Sequence, residues 1–406
     1  MEHTRRAIES VARESYGRLI SYLSARSRDL AGAEDALSEA FLAALKAWPR
    51  DGVPDKPEAW LLATARNRLI DAARHSRVQT DGALTLQLAA EEAEAAASSG
   101  DFPDERLKLL FVCTHPAIDP DVHTPLMLQI VLGLDAARIA QCFLVSPATM
   151  SQRLVRAKTK IRQAGIGFEV PNAGDLPERL DAVVQAIYAA YGSGWDDVVG
   201  ADPRLRDVTG EAVWLARVLT RLMPKEPEAR GLLAMMLYCE SRRAARRSPD
   251  SCYVALADQD VTLWSMPMIE EAERELSAAA KEMKPGRFQL EAAIQSVHAE
   301  RARTGRIDWE PIALLYEGLA QIAPTVGVLI GRSAAVGEAK GPEAGLRLLD
   351  DIGSISVKTY QPYWAVRAHL LQRLARDREA TEAYDRAIGL TEDDAVRKFL
   401  LSRRGG

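Results

Sequence analysis

Four cysteines in 406 residues, Cys113, Cys142, Cys239 and Cys252, are too few and too scattered for a disulfide framework, and no two have CxxC spacing. His115 and His123 lie near Cys113, but that spacing matches no common zinc pattern. The six histidines form no recognisable set with serine, cysteine or aspartate for nucleophilic catalysis. Long apolar runs are also missing. The longest, LMLQIVLGL, is about half the ~20 residues that a membrane span needs. The opening residues MEHTRRAIES lack the apolar stretch of a signal peptide. Charge of one sign is absent too: 52 basic against 57 acidic side chains leave a formal net charge of -5. Any nucleic-acid site must therefore be a local basic patch on a mildly acidic body. These absences predict a cytoplasmic protein with no metal, no cofactor and no membrane partner, and they offer no catalytic centre.

What is present is helix. Alanine and leucine dominate, apolar residues recur at spacings of three and four, and alternating β-branched runs are scarce, so the fold class is all-α. Residues 4–77 form a first block. The segment 78–103 is small-residue rich and acidic, and reads as a flexible linker. Residues 104–165 form a second block, closed by the glycines and prolines of GIGFEVPNAGDLP. Residues 175–402 are a third, helix after short helix.

The second block ends in SPATMSQRLVRAKTKIRQ, basic and without an acid. Ser146-Pro147 is helix-start chemistry: the serine oxygen can cap free N–H groups, and proline tolerates the first helical position. Just upstream, LDAARIAQCFLV reads as a short amphipathic helix with Ile139, Ala140 and Phe143 on one side. Met150 and Leu154, at i and i+4 on the second helix, can pack back on it. The pair has the pattern of a helix-turn-helix, with Leu144 where many such motifs carry glycine. Its outward face carries Thr149, Ser151, Gln152, Arg153 and Arg156, suited to a major groove, while the helix N-terminus suits phosphate. A plain basic helical hairpin is the alternative reading of these residues alone.

In the first block, AEDALSEAFLAALKAW is an acidic-apolar helix, with Glu34, Asp35 and Glu39 early and Phe41, Leu42, Leu45 and Trp48 later. A Pro/Gly/Asp loop follows, then AWLLATARNRLIDAARHSR, with Arg66, Arg68, Arg74 and Arg77 near the single acid Asp71. Aromatic and guanidinium groups beside a loop suit unstacked bases better than intact duplex, although Trp48 and Trp60 also read as core residues.

These stretches resemble region 2 of an extracytoplasmic-function RNA polymerase sigma factor, and FLVSPATMSQRLVRAKTKIR, with the helices before it, resembles region 4. The chain is most similar to the subgroup with a long helical C-terminal extension; LLAMMLYCESRRAARR and FQLEAAIQSVHAE share that likeness. The resemblance implies a non-enzymatic initiation subunit whose partners are core RNA polymerase and promoter DNA. It implies that Asp35, Glu39, Phe41 and Leu42 dock on the β′ clamp helices, with the second block toward the β flap. The loop from Pro49 to Glu58 would hold a flipped base. Trp60, Arg66, Asn67, Arg68, Asp71 and Arg74 would face the −10 element. Thr149, Ser151, Gln152 and Arg153 would meet the −35 element, with Arg156 and Lys158 on phosphates. A helix-turn-helix regulator that never joins polymerase is the alternative.

In the third block, Trp364, Ala368, Leu371, Ala380, Tyr384 and Ala387 fall at tetratricopeptide-repeat positions, and GPEAGLRLLDDI fits the end of a degenerate preceding unit. Trp364 and Tyr384 are expected inside that helix pair. Arrays of this kind present surfaces to a protein or peptide partner, or pack on their own chain. The resemblance implies that this one modulates activity.

Overall fold

The computed structural model describes residues 2–75, 104–143, 145–195, 205–248, 250, 252–352, 357, 359–391 and 393–405. The linker read over 78–103 and the turn residue Leu144 lie outside them. The described residues are all-helical, with no strand beyond one isolated bridge between Arg247 and Tyr253. None of their helices is long and apolar enough to cross a membrane. The helices are α1 (Glu2–Ser27), α2 (Leu30–Asp51), α3 (Pro57–His75), α4 (Arg106–Cys113), α5 (Pro120–Leu132), α6 (Ala136–Cys142), α7 (Pro147–Gln163), α8 (Leu176–Trp195), α9 (Leu205–Leu222), α10 (Pro227–Ser241), α11 (Met266–Ala280), α12 (Arg287–Ala299), α13 (Arg301–Thr304), α14 (Trp309–Ile322), α15 (Val326–Lys340), α16 (Pro342–Asp350), α17 (Gln361–Arg373), α18 (Asp377–Leu390) and α19 (Asp394–Arg404). They fall into two compact units, the first running to Gly194 with 207–211, the second holding Ala212 to the last residue.

In the first unit, the sequence period becomes a buried stripe. On α2, Leu30, Ala33, Ala36, Leu37, Ala40, Ala44 and Trp48 recur at three and four and are all buried. Opposite them, α1 contributes Leu19, Ile20 and Leu23 and α3 contributes Leu61, Leu62 and Ala65. The second block does not stand apart from this bundle. Gly17 of α1 lies so close to α5 that a Cβ there would collide with the carbonyl oxygen of Val131. Gly133, which ends α5 with φ +70°, sits under the Tyr16 ring, which a Cβ would meet at 3.0 Å. Helix α8, grouped by sequence with the third block, packs in this unit. Arg179 donates to the Phe111 carbonyl, and Thr124 Oγ1 donates to Ala186 O at 3.0 Å.

The second unit is built around α10, whose central stretch from Gly231 to Cys239 has no charged side chain and is buried throughout, as the middle of a central helix must be. Gly231 lets it touch the start of α12. The Glu228 carboxylate accepts from the Phe288 and Gln289 backbone N–H groups at 3.0 and 3.2 Å, so one helix caps the orphan donors of another. Beyond this come helix pairs. α15 and α16 cross at Gly337 and Gly345, where a Cβ on Gly345 would lie 2.7 Å from the Gly337 Cα.

The α17–α18 pair buries Ala368, Leu371, Ala380, Tyr384 and Ala387, and the Tyr384 hydroxyl donates to Gln372 Oε1 at 2.9 Å. Trp364 differs from expectation. It is only partly buried, edge-on to Tyr363 at 5.2 Å, with the Arg386 guanidinium 4.3 Å from its ring centroid. Its outer face rests on an arginine rather than in the core. Trp364→Ala is therefore expected to cost about 2 kcal/mol, below the roughly 3–5 kcal/mol of a fully buried tryptophan. Urea unfolding of the full chain measures this, and a loss above about 4 kcal/mol would contradict the half-buried placement.

Candidate nucleic-acid and core-binding surfaces

The helix pair of the second block forms as its residues require. Ser146 Oγ accepts from the Thr149 N–H at 3.1 Å, Pro147 takes the first helical position, and the first turn of α7 carries no acid. The remaining N–H groups are thus left facing outward with a positive local potential. Met150, Leu154, Ala157 and Ile161 form the buried stripe of α7, and Ile139 and Ala140 meet it from α6. Phe143 lies just past the end of α6 and is half-buried. Thr149, Ser151, Gln152, Arg153 and Arg156 are all exposed. Arg153, Arg156 and Lys160 border an open cleft of about 410 Å³, whose opposite wall includes Asp119, Asp121 and Val122 near the start of α5. Lys158 is different: it is half-buried, turned away from that face.

On α2, Asp35, Glu39 and Leu42 are exposed, while Phe41 is half-buried. Leu42 and Leu45 keep 57% and 48% of their surface in solvent, an apolar strip beside two carboxylates. The structure brings Glu39 and Arg68 together at 3.1 Å, so a candidate core contact pairs with a candidate −10 contact. Asn67 and Asp71 are exposed and Arg66 half-buried; the side chain of Arg74 lies outside the described residues. Trp60 packs edge-on to the buried Trp48 at 5.5 Å, which holds the head of α3 against α2. The loop expected over Pro49–Glu58 is shorter. α2 continues through Pro49 to Asp51 and α3 begins at Pro57, so only 52–56 is irregular, turned by Gly52 at φ +87°.

The seam between the two blocks holds a contact that sequence reasoning did not assign. Lys158 Nζ bonds Glu34 Oε2 at 2.8 Å, with side chains only 17% and 12% exposed. Burial, with the Glu34 carboxylate nearby, pushes the Tyr16 hydroxyl and the Cys113 thiol well above their ordinary values, so both stay protonated beside this pair. Removing one member of a pair this buried typically costs about 3–5 kcal/mol, because the other charge is left uncompensated. Glu34 was legible only as one of several early acids on α2. Nothing local marks its partner 124 residues away.

A family model described as Sigma-70 region 2 matches residues 11–78. A second, described as a family of unknown function (DUF6596), matches residues 179–280. The chain is 40% identical over 399 residues to "Uncharacterized protein R00370" of Rhizobium meliloti (strain 1021), a span that covers 97% of this chain and 93% of that one. No solved structure is significantly similar.

Proposed function

From the premise that this chain belongs to the family joining a Sigma-70 region 2 domain to a C-terminal DUF6596 domain, and so has a sigma-factor role in promoter recognition, we propose that it is an initiation subunit of the extracytoplasmic-function type whose own C-terminal array modulates it. In this reading residues 4–77 bind core polymerase and the −10 element, 104–165 read the −35 element, and the tetratricopeptide-like helices between 175 and 402 regulate. The acidic-apolar strip of α2, Asp35, Glu39, Phe41 and Leu42, docks on the β′ clamp helices, and the second block lies toward the β flap. Trp60, Arg66, Asn67, Arg68, Asp71 and Arg74 face the melted −10 strand. Binding a melted strand better than duplex shifts the promoter toward its open state. The chain supplies binding and position, and the polymerase makes the bonds.

The observation that carries the −35 assignment is the capped, acid-free start of α7, with Gln152 and Arg153 exposed above a fully buried Met150 and Leu154. Gln152 and Arg153 suit base edges, while Thr149, Ser151 and Arg156 suit backbone and flanking contacts. Run-off transcription with core enzyme on genomic fragments tests the whole reading, and failure to direct any start site in the presence of core refutes it. Within it, Arg153→Ala is expected to cost about 1–3 kcal/mol at one −35 position and to relax discrimination there. Lys160→Ala weakens binding modestly and evenly across sequences. Equal losses from both variants on every promoter, measured by gel shift, would remove base readout from Arg153.

A further inference from the structure

The helices of the second unit curl back on themselves. The last helix, α19, meets the segment that follows α10: Arg403 bridges Asp258 at 2.7 Å, and the Phe399 ring stands edge-on to Tyr253 at 5.3 Å. Beside this closure lies an open cleft of about 670 Å³. Ile307 and Trp309 line it from one apolar core of the unit, and Val366, Phe399 and Leu400 line it from the other.

The charges around the cleft do not balance. Both acids of its wall are paired: Asp258 with Arg403, and Glu338 with His369 and Arg373 at 2.8 and 2.9 Å. Arg301 and Arg306 also line it, and among the described residues no acid pairs with either. Arg306 is exposed, so water screens it. Arg301 is half-buried and held still. Its Nη1 donates to the carbonyl oxygens of Leu256 and Gln259 at 2.9 and 3.0 Å, and its guanidinium carbon lies 5.9 Å from the centroid of the buried Trp264 ring. Its Nε and Nη2 have no partner among the described residues. Those two groups are the side-on edge of the guanidinium fork, which a carboxylate meets with both oxygens. A cation drawn partly out of water and balanced only by carbonyl dipoles carries a standing desolvation cost, which a bound anion offsets.

We propose that this cleft is a binding site for a small carboxylic acid with an apolar body, its carboxylate on Arg301 and its body against Trp309, Val366 and Phe399. A volume within the ~300–1,000 Å³ of small-molecule sites suits a compact ligand, whereas a stable protein partner covers a face of about 800 Å². The site stands on this geometry; its place as the input of regulation rests on the promoter reading above. A ligand here touches α13, α14, α17 and α19 together. The Arg403–Asp258 bridge, with side chains 50% and 54% exposed, holds α19 only weakly, so filling the cleft tightens the end of the array.

Isothermal titration of the full chain tests the site, with octanoate and 4-phenylbutanoate as probes. At least one should bind one to one with a Kd below about 1 mM. Octanamide, the same chain without the charge, should bind at least about tenfold more weakly than the better acid. Inorganic phosphate, charge without an apolar body, should fall behind by a similar factor of about ten. Arg301→Lys keeps the charge but loses the fork, and should weaken the better acid about tenfold. Ala334→Phe fills the cleft from α15 and should abolish binding, while Arg378→Gln, on the exposed face of α18 outside the cleft, should change nothing. Melting curves without probe check that each variant is folded, and the comparison of acid, amide and phosphate on the parent chain needs no variant.

No saturable heat from either acid overturns the inference. So does octanamide or phosphate binding as tightly as the better acid, or a folded Ala334→Phe protein that binds like the parent. Run-off transcription with core enzyme separates the site from the promoter reading. The bound acid should change the run-off yield at least about twofold, and an unchanged yield at saturation removes the cleft as the input of regulation. A chain that transcribes but binds neither acid refutes the cleft site alone. One that binds an acid but directs no start site refutes the promoter reading and leaves the site standing.

Discussion

Reversing Asp35 and Glu39 to lysine together should abolish co-purification with core polymerase while helix content by circular dichroism stays that of the parent. Both side chains are exposed on α2, one helical turn apart, and they edge the solvent-facing strip of Leu42 and Leu45. A docking surface of apolar residues rimmed by acids takes its register from charge. A change of four charge units at the edge of that strip costs several kcal/mol if the partner surface complements the two acids. A loss of at least about a hundredfold, near 2.8 kcal/mol, is expected in a titration of labelled core. The fold should tolerate the change. Glu39 gives up a bridge to Arg68 in which both side chains are about half exposed, 55% and 54%, and bridges of that kind contribute little. The two lysines at i and i+4 repel by only a few tenths of a kcal/mol. Glu34 is on the same helix but turned into the seam against Lys158, so its replacement should loosen α7 on α2 without imitating this loss. Normal stoichiometry of the double variant with core would remove α2 as the docking surface.

The largest stability effect is expected at a residue with no side chain. Gly231 sits in the middle of α10, where a Cβ would lie 2.6 Å from the Gln289 nitrogen and 2.8 Å from the Phe288 carbonyl carbon. Those atoms are backbone at the start of α12 and cannot rotate aside. Gly231→Val must push the helices apart. That separates Glu228 from the two N–H groups it caps and unpacks Phe288, which is 1% exposed. Overpacking of about 1–3 kcal/mol adds to roughly 1 kcal/mol for each cap bond lost. A total of about 3–5 kcal/mol corresponds to a fall of roughly 10 °C in the melting temperature of a unit of this size. Gly389→Ala is the contrast. Nothing lies within 4 Å of its Cβ position on α18, so alanine's better helix propensity should leave stability unchanged or slightly raised. If calorimetry finds the two variants alike, close approach of α10 and α12 is not what holds the second unit together.

These cases divide by the range of the forces involved. The α7 helix was legible because its causes are local. A serine caps within three residues, a proline sets one φ, and an apolar stripe repeats every 3.6 residues, so Ser146, Met150 and Leu154 behave as their neighbours in sequence dictate. The same held for Trp48 on α2 and for Ala368, Leu371, Ala380, Tyr384 and Ala387 in the last helix pair, whereas the α2 residues Leu42 and Leu45, named with Trp48 as its apolar set, face solvent. The extent of the loop after α2 was misjudged because local rules stop a helix at proline, while here α2 carries through Pro49 and Gly52 makes the turn. Trp364 was expected deeper than it lies because a repeat pattern states which residues face a partner helix and not how completely that partner covers them. What sequence could not carry was every contact whose partner is remote. Gly17 against Val131, Gly231 against Gln289 and Glu34 against Lys158 join residues 58 to 124 positions apart. An acid on an amphipathic helix looks the same in sequence whether it faces water, a polymerase or a lysine. Only the crossing of α1 on α5 brings α7 to α2 and decides that Glu34 meets Lys158 while Asp35, one residue on, remains free for solvent.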